Sequence, residues 1–104
     1  MNITKTTLYV GLNDKDKKVQ LIDTVEACKI VTNIIMDIAD GGTIYNATGI
    51  YKHDNGTIIT ENTLKIELIN TPEQSIKAII DTLKTVLNQE SIIKETANTI
   101  SEFC

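Results

Sequence analysis

The chain has 104 residues, of which 41% are hydrophobic and 23% charged, and its formal net charge is -4. This length and apolar content suffice for one packed core without cross-links but not for two, so we predict a single domain over residues 1–104. Acidic and basic residues are interspersed, and no stripe of lysine or arginine is available to neutralise a phosphate backbone. Direct binding to nucleic acid is therefore disfavoured.

The two cysteines, Cys28 and Cys104, form no CxxC pair and indicate neither a disulfide framework nor a zinc site. No apolar run is long enough for a signal peptide or a membrane span. We therefore expect a protein of the reduced cytoplasm that has no bound cofactor and does not enter a membrane.

The first predicted elements are a strand and a helix. Residues 6–12, TTLYVGL, alternate in polarity as a half-buried strand does, and the polar loop NDKDKK follows. Asp23, with Glu26 three residues later, is typical of a helix N-terminus. Apolar residues at three- and four-residue spacing then predict a helix over residues 24–39.

The middle of the chain predicts a β-hairpin. Residues 43–52, TIYNATGIYK, and 57–69, TIITENTLKIELI, are rich in strand-forming residues and flank Asn55-Gly56. That dipeptide favours a two-residue type I′ turn, in which both residues have positive φ. His53, the only histidine, and Asp54 would then lie at a solvent-exposed tip, where no enclosed pocket supports acid–base chemistry.

The sequence Thr71-Pro72-Glu73-Gln74 predicts a second helix with Thr71 as its N-cap, and SIIKE at 91–95 starts a last strand. The order strand, helix, strand, strand, helix, strand is that of a ferredoxin-like α+β fold. We predict a four-stranded antiparallel sheet with both helices on one face. Right-handed crossovers place the first and third strands in its centre.

No element remains to cover the opposite face of this sheet. Alternation assigns to it Thr7, Tyr9, Ile50, Thr63, Lys65 and Glu67, with Ile44, Asn46 and Thr48 if the second strand keeps its register. Such a mixed, moderately apolar face is typical of sheets that dimerise or receive a protein partner. The candidate interaction residues are Tyr9, Ile50, Tyr51, Lys52, Glu61, Lys65, Glu67 and Glu90, and no residue is assigned a catalytic role.

Two of these candidates also have a structural interpretation. Glu61 lies in a polar break of the third strand that a β-bulge would explain, and Glu90 lies between the last helix and the last strand. Strand breaks and helix ends need hydrogen-bonding side chains for unpaired backbone groups, so we favour the structural role for both.

Three segments resemble the uncharacterised bacterial family DUF3574: LYVGL at 8–12, GIYKHDNGTIITENTLKIEL at 49–68 and NQESI at 88–92. In that family a Gly-x-aromatic-basic run leads through a glycine hairpin to a strand with a glutamate. The matching positions here are Gly49, Tyr51, Lys52, Gly56 and Glu61. The family more usually has tryptophan and arginine where this chain has Tyr51 and Lys52, and it has no established activity, so the resemblance implies no catalytic residue.

The opening TTLYVGLNDKDKK also resembles small phage and plasmid proteins, among which are anti-CRISPR inhibitors of Cas9. We therefore predict a non-enzymatic interaction module, a homodimer through the open sheet face or a strand edge, whose partner is a Cas-type effector. The alternative is a ferredoxin-like dimeric enzyme or small-ligand-binding protein. That alternative requires Tyr9, Tyr51, Glu61 and Glu90 to converge around one cavity.

Overall fold

The computed structural model describes residues 2–104. Its elements follow the predicted order: β1 (Asn2–Gly11), α1 (Thr24–Ile38), β2 (Thr43–Lys52), β3 (Ile58–Ile69), α2 (Glu73–Val86) and β4 (Ile93–Ile100). The strands form one antiparallel sheet in the order β2-β3-β1-β4. The predicted ferredoxin-like α+β fold, with β1 and β3 in the centre, is confirmed. Neither α1 nor α2 has the length and hydropathy needed to cross a membrane.

The core lies between the sheet and the two helices because apolar side chains alternate along the central strands and recur along one stripe of each helix. Each of these side chains is at most 3% exposed: Leu8, Val10, Leu64, Ile66 and Leu68 from the sheet, Ala27, Val31 and Ile35 from α1, and Ile76, Ile79 and Leu83 from α2. Burial of one such aliphatic side chain contributes about 1.5–3 kcal/mol.

The two helices begin differently. The Asp23 carboxylate accepts a hydrogen bond from the backbone N–H of Glu26 at 2.8 Å, as predicted. At α2, Pro72 itself takes the N-cap position, and its carbonyl accepts hydrogen bonds from the N–H groups of Ser75 and Ile76. The predicted cap at Thr71 is wrong because the helix starts one residue later, beyond the reach of that hydroxyl.

The turn between β2 and β3 is not the predicted type I′ turn. Gly56 has a φ of +88°, but Asn55 is not among the residues with positive φ. The Gly56 N–H donates to the His53 carbonyl at 2.9 Å, and the His53 N–H donates to the Thr57 carbonyl at 2.9 Å. This is a three-residue loop with one left-handed residue at its end. The Asn55 side chain stabilises it by accepting from the Thr57 N–H at 2.9 Å.

Strands β2 and β3 pair one to one from Thr43 opposite Glu67 to Lys52 opposite Ile58. The ladder has no extra residue near Glu61, so the predicted bulge is wrong; the polar residues there continue the strand.

The register of β2 assigns Tyr45, Gly49 and Tyr51 to the open face, opposite residues of β3 that lie on that face. The predicted placement of Ile44, Asn46, Thr48 and Ile50 there is wrong, because a shift of one residue moves every side chain to the other face. Ile44 packs against the core instead. The predicted placement of Thr7, Tyr9, Thr63, Lys65 and Glu67 is confirmed.

The β2–β3 ribbon extends beyond the rest of the sheet. Pairing of β3 with β1 ends where Gly11 faces Thr63, whereas pairing with β2 continues to Ile58. Ile50 and Ile58 are therefore 71% and 65% exposed. The ribbon forms an arm that rises beside one end of the open face.

Candidate functional site

A cleft of about 490 Å3 opens on the uncovered sheet face, at the end where β1 and β2 finish and β3 and β4 begin. This is within the size range of small-molecule sites. Its floor and arm side comprise Tyr9, Gly11, Gly49, Ile50, Tyr51, His53, Ile59, Glu61 and Thr63. Its rim comprises Asn13, Asp14, Lys15 and Lys18 after β1, and Gln89, Glu90, Ser91 and Ile93 at the start of β4.

Two glycines make room for the polar floor. A Cβ on Gly11 would lie 2.4 Å from Oε1 of Glu61, and a Cβ on Gly49 would lie 2.8 Å from Oγ1 of Thr63. The Glu61 carboxylate thus crosses from β3 over β1. Its Oε2 accepts a hydrogen bond from the Asn13 N–H at 2.9 Å. A half-buried carboxylate is therefore held in one orientation at the bottom of the cleft.

The rim is a folded unit held by residues far apart in the sequence. The Asn88 side-chain amide donates to Asp14 Oδ1 at 2.8 Å and to Asp16 Oδ2 at 2.9 Å. The nearly buried Gln89 amide donates to the Asn13 carbonyl at 2.8 Å. The loop after β1 and the segment before β4 are therefore fixed to each other.

Asp14 is the centre of that loop. Its Oδ2 accepts from the N–H groups of Asp16 and Lys17, both at 3.0 Å. The hydrogen bond from Asn88, followed by the one from the Lys17 N–H, lowers the pKa of the Asp14 carboxyl from its usual value. The loop is consequently stabilised by an ionised carboxylate at neutral pH.

Aromatic side chains line the cleft on two sides. Tyr9, half-buried, lies on the central strand β1, and Tyr51, 43% exposed, lies on the β2 arm. The His53 ring meets the Tyr51 ring edge to face, with 5.5 Å between centroids. His53 is exposed, as expected for a hairpin tip, and the arm carries this tip along the side of the open cleft, so that His53 is one of its lining residues.

The structure separates the candidate interaction residues into groups. Five border the cleft, Tyr9, Ile50, Tyr51, Glu61 and Glu90, although the register of β2 assigns the Ile50 side chain to the opposite face of the sheet. Lys65 and Glu67 lie on the open face but outside the cleft, nearer the other end of the sheet. Lys52 is exposed, and its register assigns it to the face opposite Tyr51. The four side chains required by the ligand-site alternative do converge on one cavity.

Lys65 and Glu67 belong to a second polar cluster. The Tyr45 hydroxyl donates to Glu67 Oε1 at 3.0 Å, and the Lys5 and Lys65 ammonium groups each lie 3.7 Å from Oε2. Lys65 Nζ also lies 5.3 Å from the centre of the Tyr45 ring. The hydrogen bond to Glu67 and the negative charge of that residue raise the pKa of Tyr45. The charged and hydroxyl groups of this cluster pair with one another, so the cluster has a structural role.

Sequence reasoning missed most of the rim. Taken alone, the sequence NDKDKK predicts a solvent-exposed loop, and the sequence NQES predicts the end of a helix. The signal that connects them is topological: β1 and β4 pair side by side, which brings the end of β1 next to the start of β4. The glycines at positions 11 and 49 are a second signal, since both interrupt strands at a place where a side chain crosses the sheet.

Fold and site together define a class of protein: a ferredoxin-like α+β protein with a ligand-sized cleft of tyrosines and carboxylates on its open sheet face. A family model described as "Protein of unknown function (DUF3574)" matches residues 5–103. The chain belongs to this family. None of the curated proteins matches the sequence.

Several solved structures are similar to the chain. A phage SAM lyase in complex with S-methyl-5'-thioadenosine is 25% identical, with 91% of this chain and 80% of that chain covered and a TM-score of 0.66. The phage SAM lyase in its apo state gives 21% identity, coverage of 91% and 79%, and a TM-score of 0.65. The divalent ion tolerance protein CutA1 from Ehrlichia chaffeensis shares the fold at 12% identity, coverage of 97% and 84%, and a TM-score of 0.60.

The predicted function as a non-enzymatic module directed at Cas9 is wrong. The similar structures include an enzyme, and nothing in the comparisons supports an anti-CRISPR function. The physical reason lies in the open face, which is not a plain docking surface but contains a shaped cleft with a fixed carboxylate. The ligand-site alternative is the better supported of the two hypotheses.

Proposed function

We propose that the protein is a lyase that cleaves S-adenosylmethionine, and that the cleft is its active site. The observation that carries the proposal is the convergence of Tyr9, Tyr51, Glu61 and Glu90 on one cavity, with the Glu61 carboxylate fixed over Gly11. The similarity to the phage SAM lyase supports it, since that chain is 25% identical over 91% of this one.

The cleft suits a nucleoside. Aromatic rings bind bases by stacking, which is worth about 1–3 kcal/mol per base, and Tyr9 and Tyr51 both line the cavity. Carboxylates accept hydrogen bonds from ribose hydroxyls, and Glu61 is already oriented by the Asn13 N–H. We assign the tyrosines to the base and Glu61 to the ribose.

The proposed step is a cleavage without water, as the term lyase means. In the proposed step the bond between sulfur and the γ-carbon breaks, and its electron pair stays on sulfur, which leaves as the neutral thioether S-methyl-5'-thioadenosine. The α-carboxylate of the same substrate forms the new bond to the γ-carbon and closes a lactone. A sulfonium and a carboxylate neutralise each other in this step, so a partly enclosed cleft that displaces water favours the transition state.

We also propose a homodimer in which a second copy covers part of the open face. An exposed aromatic side chain on that face but outside the cleft supports this: Tyr45 is 44% exposed. We further propose that the chain acts as one domain in the cytoplasm, where the free thiols of Cys28 and Cys104 remain reduced. Light scattering coupled to size exclusion tests the dimer, and a monomer mass across the micromolar range excludes it.

The activity is tested by incubating the protein with S-adenosylmethionine and measuring S-methyl-5'-thioadenosine by chromatography and mass spectrometry. Glu61→Gln removes the fixed charge and should lower kcat/KM by about tenfold to a hundredfold, the range for one lost charged hydrogen bond. Glu95→Gln is the matched control, because Glu95 is an exposed carboxylate on the same sheet face but outside the cleft.

Release of the thioether above the uncatalysed rate, with loss in Glu61→Gln and not in Glu95→Gln, supports the proposal. Absence of turnover together with absence of binding to S-methyl-5'-thioadenosine by calorimetry overturns it.

A further inference from the structure

Two lysines, Lys15 and Lys18, stand at the rim of the cleft, above the carboxylate and the tyrosines of its floor. Within residues 2–104, neither ammonium group forms an ion pair, whereas Lys5, Lys65, Lys77 and Lys94 all do. Free cations at the mouth of a ligand-sized cleft are available to an anionic group of a ligand.

The loop that carries them is rigid. The Lys18 N–H donates to the Asp14 carbonyl at 2.9 Å, and the Asp14 N–H donates to the Val19 carbonyl at 2.8 Å. The Lys15 N–H donates to the Asn88 carbonyl at 3.0 Å. Because the backbone on either side of the cleft rim is fixed by these hydrogen bonds, the Cα atoms of the two lysines have set positions, and binding of an anion orders only their side chains.

The backbone of Lys18 is strained. Its φ is +63°, a left-handed conformation that costs an L-residue with a Cβ roughly 1–2 kcal/mol. Glycine or asparagine would relieve that strain, yet a lysine is present beside the cleft. The hydrogen bonds around Asp14 hold this conformation.

We propose that Lys15 and Lys18 recognise the α-carboxylate of the substrate's amino-acid arm. This inference rests on the proposed function and names the residues that would make the cleft specific for its substrate. The floor of the cleft would bind the nucleoside, which substrate and thioether product share, and the rim would bind the carboxylate, which the thioether lacks. The rim thus distinguishes the substrate from the product that must leave.

The direction of the kinetic effect follows from the chemistry. The α-carboxylate is negative in the bound substrate and loses its charge as it closes on the γ-carbon. The lysines therefore bind the ground state more strongly than the transition state. Their removal should raise KM and also raise kcat, so that kcat/KM falls by less than KM rises; a rise in KM at constant kcat would instead mean that the lysines bind substrate and transition state equally.

The test compares two ligands that differ in the amino-acid arm. S-adenosylhomocysteine carries the carboxylate and does not react, and S-methyl-5'-thioadenosine carries none. In Lys15→Gln/Lys18→Gln we expect the Kd of S-adenosylhomocysteine to rise by about fivefold to thirtyfold, as for two exposed ion pairs, and that of the thioether to change by less than about twofold. The salt dependence of S-adenosylhomocysteine binding should also weaken.

Lys17→Gln is the control, since this lysine belongs to the same loop and has the same charge but does not line the cleft. It should leave both Kd values unchanged. If both ligands bind and the double variant weakens them equally, or weakens neither, the rim assignment is overturned while the proposed function stands. If the wild-type protein binds neither ligand, the proposed function fails and the rim assignment fails with it.

Discussion

The carboxylate of Glu61 occupies the space that a side chain on Gly11 would need: a Cβ there would lie 2.4 Å from Oε1 of Glu61. The two residues belong to different strands, and the second carboxylate oxygen is bound by the Asn13 N–H. The strand glycine thus determines where the charge of the cleft is placed.

Gly11→Ala should displace that carboxylate, which is the end of a flexible side chain, and destabilise the protein by about 0.5–1.5 kcal/mol, the usual net contribution of the one hydrogen bond lost from the Asn13 N–H. Chemical denaturation measures the change. In a Glu61→Ala background the same substitution should cost much less, because the obstructing group is gone. An equal cost in both backgrounds would show that the clash with Glu61 is not the cause.

Gln89→Ala should destabilise the protein by about 1–3 kcal/mol. The Gln89 amide is 9% exposed and donates to the carbonyls of Asn13 and Leu87, which would lose their partner in a site with little water. Gln74→Ala on the exposed first turn of α2 is the control, and we expect a change within about 0.5 kcal/mol there. Similar losses at both positions in thermal or urea unfolding would contradict the role of Gln89.

Asp14 should make the rim loop sensitive to acid. Its folded pKa lies below the ordinary value of 3.8, so the ionised form stabilises the folded state above that pH. The contribution is lost as pH falls through the lowered pKa. The difference in unfolding free energy between wild type and Asp14→Asn should thus be present at pH 7 and shrink below about pH 3.8. A difference that stays constant with pH would exclude the ionised carboxylate as its source.

Tyr45 should titrate above the ordinary tyrosine value of 10.0, because its hydroxyl donates to Glu67. The neutral form stabilises the folded state below pH 10, and this contribution disappears as pH rises through the raised pKa. Ultraviolet titration of wild type and Tyr45→Phe isolates this phenol, and Glu67→Gln should bring its pKa down. A Tyr45 phenol that titrates at the same pH with and without the Glu67 charge would refute the assignment.

Gly56→Val should destabilise the hairpin arm, since Gly56 has a φ of +88° and a β-branched residue avoids that conformation. We expect a loss of about 1–2 kcal/mol, measured by thermal unfolding. Gly56→Asn is the matched comparison, because asparagine tolerates left-handed backbone, and it should cost less. The reverse order of stability would mean that the turn changes its conformation in the variants.

The fold could be predicted because the spacing of apolar residues is unambiguous in four elements. It is three or four residues in α1 and α2, as in helices, and two residues in β1 and β3, as in strands. The register of β2 could not be predicted, since isoleucine, tyrosine, asparagine and threonine alternate there without a clear apolar side, and so do not select a face. The turn at residues 53–57 also escaped prediction, because Asn55 supports it through its side chain rather than through positive φ.

The candidate site was predicted in part. Tyr9, Tyr51, Glu61 and Glu90 were the four side chains required for a ligand cavity, and the structure brings them together. The local sequence could not predict that the lysines and amides of the rim belong to the site, because the residues they contact are distant in the sequence. Asp14 and Asn88, for example, are 74 positions apart.

The cleft also reaches the edge of the sheet. Its rim has two sides: the loop after β1, and Glu90, Ser91 and Ile93, which lead into β4, the edge strand paired with β1. A ligand held between them opposes the peeling away of β4, and the added stability grows as RT ln(1 + [L]/Kd). Amide hydrogen exchange along β4, an edge strand far from most of the cleft floor, should then slow in proportion to occupancy of the cleft.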